Sequence, residues 1–123
     1  MSTRANVVFM QDDEQKAVIY KHWDGYPTGF GHELAEFLDG KKIVNGIRPD
    51  AKNIFNGMGC LAASVVAHFK EGPGDVYLDG KVSEWVDYTY VVQQDKETIN
   101  IHVKEDGFTG TPNEFITHYA EEK

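Results

Sequence analysis

At 123 residues the chain is long enough for one domain with its own core, and residues 1–123 read as a single unit. The formal charge is −8 and the only arginines are Arg4 and Arg48, which excludes the basic face that double-stranded nucleic acid demands. Cys60 is the one cysteine, so no internal disulfide can form, and no apolar run approaches the roughly 20 residues that span a bilayer.

Fifteen aromatic residues (seven Phe, six Tyr, two Trp) supply bulky core material, so an ordered globule is expected. The opening Met1-Ser2-Thr3-Arg4 lacks the apolar stretch of a secretory signal. Together with the lone cysteine, this predicts a cytoplasmic protein. The acidic balance serves solubility and leaves room for an acidic face that meets a basic partner.

Along the chain, Asn6 to Met10 and Ala17 to Trp23 are apolar-rich and β-prone, and Gln11-Asp12-Asp13-Glu14-Gln15 between them reads as a hairpin loop. A first helix is predicted from Thr28, an N-cap residue, to just before Gly40. Phe30, Leu34, Phe37 and Leu38 make its apolar stripe. A second helix is predicted from its N-cap Asp50 to about Glu71, with Ile54, Met58, Leu61, Val65 and Phe69 as its main stripe. Gly57 and Gly59 weaken that helix by up to about 1 kcal/mol each, which points to close packing there or to a late helix start. Gly72-Pro73-Gly74 breaks the chain, and three strands follow at Val76 to Asp79, Trp85 to Gln93 and Thr98 to Lys104. Asp79-Gly80 marks a tight turn between the first two. Pro112 to Tyr119 fits a short helix. The order β-β-α-α-β-β-β predicts an α+β fold, an antiparallel sheet with two main helices packed on one face.

Chemistry-bearing residues crowd one corner, Tyr20-Lys21-His22-Trp23-Asp24-Gly25-Tyr26-Pro27-Thr28-Gly29-Phe30. Turn chemistry explains the glycines and the proline but not His22, Trp23 and Tyr26, because loops that only connect are small and polar. Trp23, Tyr26 and Phe30 suit a flat ring such as a nucleobase, with Phe30 and Trp23 also candidates for the core. Asp24 can accept hydrogen bonds from a sugar, and Arg4 or Arg48 can meet phosphate. His22, Asp24, His32 and Glu36 (or Glu33) are residue types that zinc or iron accepts, yet their spacing matches no metal signature. No metal and no cofactor is therefore expected. Cys60 sits in an apolar stretch where a buried, inert thiol is normal. Ser64 and His68, four apart on the second helix, are within reach of each other but lack a third catalytic group.

Two pieces carry a resemblance: Ser2-Thr3-Arg4-Ala5-Asn6-Val7, and Tyr20-Lys21-His22-Trp23-Asp24-Gly25-Tyr26-Pro27. In these the chain resembles a family of small, mostly uncharacterised proteins of phages, prophages and bacteria, which have a Ser-Thr-Arg opening and a Tyr-(Arg/Lys)-His-x-Asp-Gly-Tyr-Pro turn. The match covers roughly the first forty residues and brings no assigned chemistry. It implies a phage or prophage accessory protein acting in the host cytosol, of the kind that disables a host component in counter-defence. The expected function is non-catalytic: a homo-oligomeric protein that sequesters a small nucleotide-like ligand. The alternatives are an inhibitor that binds a host protein, and a metal-assisted hydrolase using His22, Asp24 and His32. Expected ligand contacts are Arg4, His22, Trp23, Asp24, Tyr26, Phe30 and Arg48.

Overall fold

The computed structural model of the chain describes residues 3–44 and 54–120. Strands β1 (Ala5–Gln11) and β2 (Glu14–Lys21) pair antiparallel about the turn Asp12-Asp13. Both turn residues have positive φ, 51° and 64°, which tight hairpins require and Asp tolerates better than most side chains. The hairpin is therefore tighter than the five-residue loop expected, and its strands run on through Gln11 and Glu14. The corner after β2 leads into a wide helical turn, Pro27–Gly31, and then α1 (His32–Leu38). Gly29 is non-helical, so the single helix expected from Thr28 is divided there.

The short strands β3 (Lys42–Val44) and β4 (Ile54–Asn56) form a small parallel pair, and α2 (Gly57–Phe69) follows directly. The expected N-cap Asp50 lies outside the described residues. Ile54, expected on the helical stripe, and its neighbour Phe55 pair instead with Lys42 and Ile43. The helix starts late because Gly57 turns the chain with φ +82°, a conformation that side-chain-bearing residues rarely adopt. The remaining elements are β5 (Val76–Asp79), β6 (Tyr88–Asp95), β7 (Thr98–Val103), β8 (Phe108–Gly110) and α3 (Pro112–Ala120).

Six strands form the main sheet in the order β5-β2-β1-β6-β7-β8. Every neighbouring pair is antiparallel except the central one, where β1 runs parallel to β6. The fold is α+β with an antiparallel-dominated sheet. Asp79-Gly80 makes no hairpin: β5 lies at the outer edge and β6 beside β1, so residues 80–87 must cross β2 and β1. Trp85, expected in a strand, stands on that crossing segment.

One face of the sheet carries the helices. Val7, Phe9, Ile19, Tyr90, Val92, Ile101 and Val103 point there and pack with Leu34 and Leu38 of α1, Met58, Leu61 and Val65 of α2, and Phe115 and Tyr119 of α3. Each large side chain buried this way contributes roughly 1.5–3 kcal/mol. The opposite face, called the open face below, bears Asn6, Val8, Val18 and Thr89, all buried, and Asn6 meets the crossing segment at Ser83. No helix among the described residues is long and apolar enough to cross a membrane.

Candidate functional site

The corner between β2 and the wide turn is built to be rigid. Lys21 is buried, and its Nζ donates to the Trp23 carbonyl at 2.8 Å and to Asp75 Oδ2 at 2.6 Å. Asp75 Oδ1 accepts the Trp23 N–H at 3.0 Å, and the Asp75 carbonyl accepts the His22 N–H at 2.8 Å. Partial burial pushes the Asp75 carboxyl up, but the hydrogen bonds from Lys21 and Trp23 and the Lys21 charge outweigh it and hold it below the usual carboxylate range. Asp24 turns the chain with φ 57°, and its carbonyl accepts the Phe30 N–H at 2.8 Å. Gly25 donates to the Thr3 carbonyl, and its own carbonyl accepts the buried Tyr90 hydroxyl. That burial drives the Tyr90 phenol far above its ordinary pKa, so Tyr90 is a neutral donor at every physiological pH. Much of the aromatic corner is thus fold-building chemistry.

The expected site residues do not converge there. Phe30 is only 2% exposed and meets Phe69 and Tyr90 edge-on, so it belongs to the core and offers no face to a ligand. Tyr26 folds back over Gly29, where an added Cβ would stand 2.7 Å from its ring, and lines a shallow acidic recess with Asp87, Glu105 and Asp106. Asp24 is exposed in its turn. Arg48 lies outside the described residues. His22 and Trp23 leave the corner together, ring to ring at 5.0 Å.

Two of the expected residues, Arg4 and His22, do meet, in a groove on the open face with Tyr20, Tyr77, Leu78, Asp79, Ser83 and Trp85. Its volume is about 470 Å³. Strand alternation puts Tyr20 and His22 on one face, and the β2–β5 register sets Tyr77 opposite Tyr20, ring centroids 5.9 Å apart. His22 Nδ1 lies 2.9 Å from the Tyr20 hydroxyl. The backbone of Arg4 is pinned to Asp87, while its guanidinium makes no ion pair among the described residues. Tyr77 and Trp85 are exposed by 48% and 81%, two bare rings at the groove, while Leu78, in register with Ile19, alternates to the other face of the edge strand. Period-two spacing on β2 is the signal by which the Tyr20–His22 pair is legible. Nothing local pointed to this meeting of Tyr77 and Trp85, because the β2–β5 pairing places the one and the crossing of residues 80–87 brings in the other.

A larger cavity, about 690 Å³, opens between α1, α2 and the segment before β5. Its walls include Glu33, Glu36, Glu71 and His68, with the Lys21–Asp75 pair at one side. His68 stacks on Phe37 at 4.5 Å. The Ser64 hydroxyl donates to the Cys60 carbonyl at 3.2 Å, which engages it within its own helix and not with His68. Cys60, expected to be buried, is exposed because α2 turns Met58, Leu61, Ala62 and Val65 to the core and Cys60 lies off that face. His32 and Glu36 approach to 3.4 Å on α1, on the helix side of the sheet, whereas His22 faces the open side. No cluster of three or more metal-ligating side chains occurs among the described residues. Compared with models of protein families, with curated proteins and with solved structures, the chain matches none.

Proposed function

We propose that this chain is a non-catalytic binding protein that takes a small, flat, anionic ligand of nucleotide type in the open-face groove. The observation that carries the reading is the exposure of Trp85 and Tyr77 beside Arg4, whose guanidinium makes no ion pair among the described residues. An aromatic wall holds a base by stacking, worth about 1–3 kcal/mol per base, and a nearby guanidinium meets phosphate. The groove volume falls in the range of small-molecule sites. His22, held by Tyr20, and Asp79 supply polar contacts at the rim. In the phage or prophage setting implied by the Tyr20–Pro27 turn, such a protein acts in the host cytosol and sequesters a nucleotide signal of antiviral defence.

Native mass spectrometry of untagged protein mixed with a bacterial nucleotide extract tests this. A stoichiometric adduct of nucleotide mass is expected, lost in Trp85→Ala and in Arg4→Ala while Tm stays within a few degrees. A ligand-free spectrum, or an adduct that survives both substitutions, defeats the reading.

A second reading is a protein partner, either a host protein or another copy of this chain. The observation that favours it is Leu78, 72% exposed on β5, which is an edge strand. Edge strands offer backbone groups for pairing with a second chain.

A further inference from the structure

Residues 80–87 carry the most exposed ring of the groove, yet no regular structure holds them. This strap leaves the sheet edge at Asp79 and re-enters at Tyr88. Its far end is anchored: the Asp87 N–H donates to the Arg4 carbonyl, and the Arg4 N–H donates to the Asp87 carboxylate. Between the two ends, among the described residues, one hydrogen bond ties the strap to the sheet. It runs from Asn6 Nδ2 to the Ser83 carbonyl, 2.9 Å long.

Asn6 is an unexpected residue for its place. It sits near the start of β1, wholly buried, with Tyr20 and Thr89 as its register partners. Its Oδ1 is buried with no hydrogen-bond partner among the described residues. A valine would bury apolar surface there and leave no polar atom unsatisfied. The one interaction that Asn6 adds is the hold on Ser83, two residues from Trp85.

We propose that Asn6 is the positioning residue of the groove: it clamps the strap over the open face and so sets where Trp85 stands. Its importance for ligand binding rests on the reading of the groove given above, but its hold on the strap does not.

Trypsin reads that hold directly. Lys81 lies exposed in the strap, and Lys96 lies exposed in the β6–β7 turn as an internal control. In Asn6→Val, cleavage after Lys81 should rise about fivefold or more, the factor that one lost hydrogen bond supplies to local opening. Cleavage after Lys96 should not change. In a Trp23→Phe background, the emission anisotropy of Trp85 should fall. An unchanged rate at Lys81, or an unchanged anisotropy, overturns the proposal. Equal acceleration at both lysines overturns it too, since Asn6 would then merely support the fold. Asn6→Ala also removes the donor and brings in no charge, and decides the same question should Asn6→Val not fold. No ligand enters these readouts, so a groove that binds no nucleotide leaves a loosened strap standing, and a strap that stays rigid sinks this proposal even if a nucleotide binds.

Discussion

At Gly25 the backbone of the corner touches β1 so closely that a side chain has no room. A Cβ there would stand 2.8 Å from Ala5 Cβ and 3.0 Å from the Ala5 nitrogen, and neither atom is the end of a flexible side chain. Gly25→Ala should therefore destabilise by about 1–3 kcal/mol in urea denaturation, as overpacking does elsewhere. Gly59, with open space around it inside α2, makes the contrast: Gly59→Ala should stabilise by roughly 0.4–1 kcal/mol. Asp75 acts at the same corner through charge. Its carboxyl titrates lower folded than unfolded, so its contribution is complete above the unfolded carboxylate value, about 3.9, and is lost as pH falls through the folded one. Asp75→Asn removes the charge and leaves one acceptor oxygen for two donors, Lys21 Nζ and the Trp23 N–H, and should cost about 1–3 kcal/mol at pH 7. The gap between wild type and variant should hold from pH 7 to about pH 5 and close below about pH 4. A gap that persists undiminished at the acid end would refute the role given to this ion pair.

Element boundaries here are set by caps as much as by apolar stripes. Thr111 and Glu114 form a reciprocal capping box on α3: Glu114 Oε1 accepts the Thr111 N–H at 2.9 Å, and Thr111 Oγ1 accepts the Glu114 N–H at 3.2 Å. With Pro112 as the first helical residue, Thr-Pro-Asn-Glu is a start signal that stands in the sequence itself. Thr111→Ala should lower stability by about 0.5–2 kcal/mol, measurable as a shifted urea midpoint at constant slope. At α2 the first amide is satisfied from afar, by Gln11 Oε1 on the Met58 N–H at 2.7 Å. No helical pattern could announce that cap, because Gln11 ends β1 and stands 47 positions earlier. The edge strand β5 is managed in the same manner. Lys70 Nζ, at the end of α2, donates to the Val76 carbonyl at 2.9 Å and so occupies an acceptor that an incoming strand could use.

Across the whole molecule, stability should grade outward from the β1–β6 joint. β1 has a partner strand on both sides and all of Ala5 to Phe9 is buried, while β5 and β8 are edges. Amide exchange should be slowest in β1 and β6, and several orders of magnitude faster in residues 80–87, which lack a ladder. Uniform protection across both regions would contradict this layering. The parallel joint also explains the groove. Two antiparallel sets, β5-β2-β1 and β6-β7-β8, meet with their strands running the same way, so the chain must return across a face to enter β6. That return carries Trp85 to Arg4 and His22.

The local, repetitive features were legible in the sequence. The strand over Thr98–Val103 and the inward placing of Leu34 and Leu38 by the i, i+4 pattern both stand in the structure. These depend on neighbours in the chain, and each residue there carries its own signal. The Tyr20–Phe30 segment drew attention for a sound reason but a mixed result, because the same rings serve turn, core and surface. Phe30 entered the core because α2 supplies Phe69 and β6 supplies Tyr90 against it, and His22 and Trp23 stayed outside because Asp75 holds their backbone. Which strands are neighbours, that β1 and β6 run parallel, and that Tyr77 and Trp85 join Arg4 and His22 were decided by tertiary structure alone. Strand pairing is settled by the closing of one common core over many separated segments, and that sum is not written in any one of them.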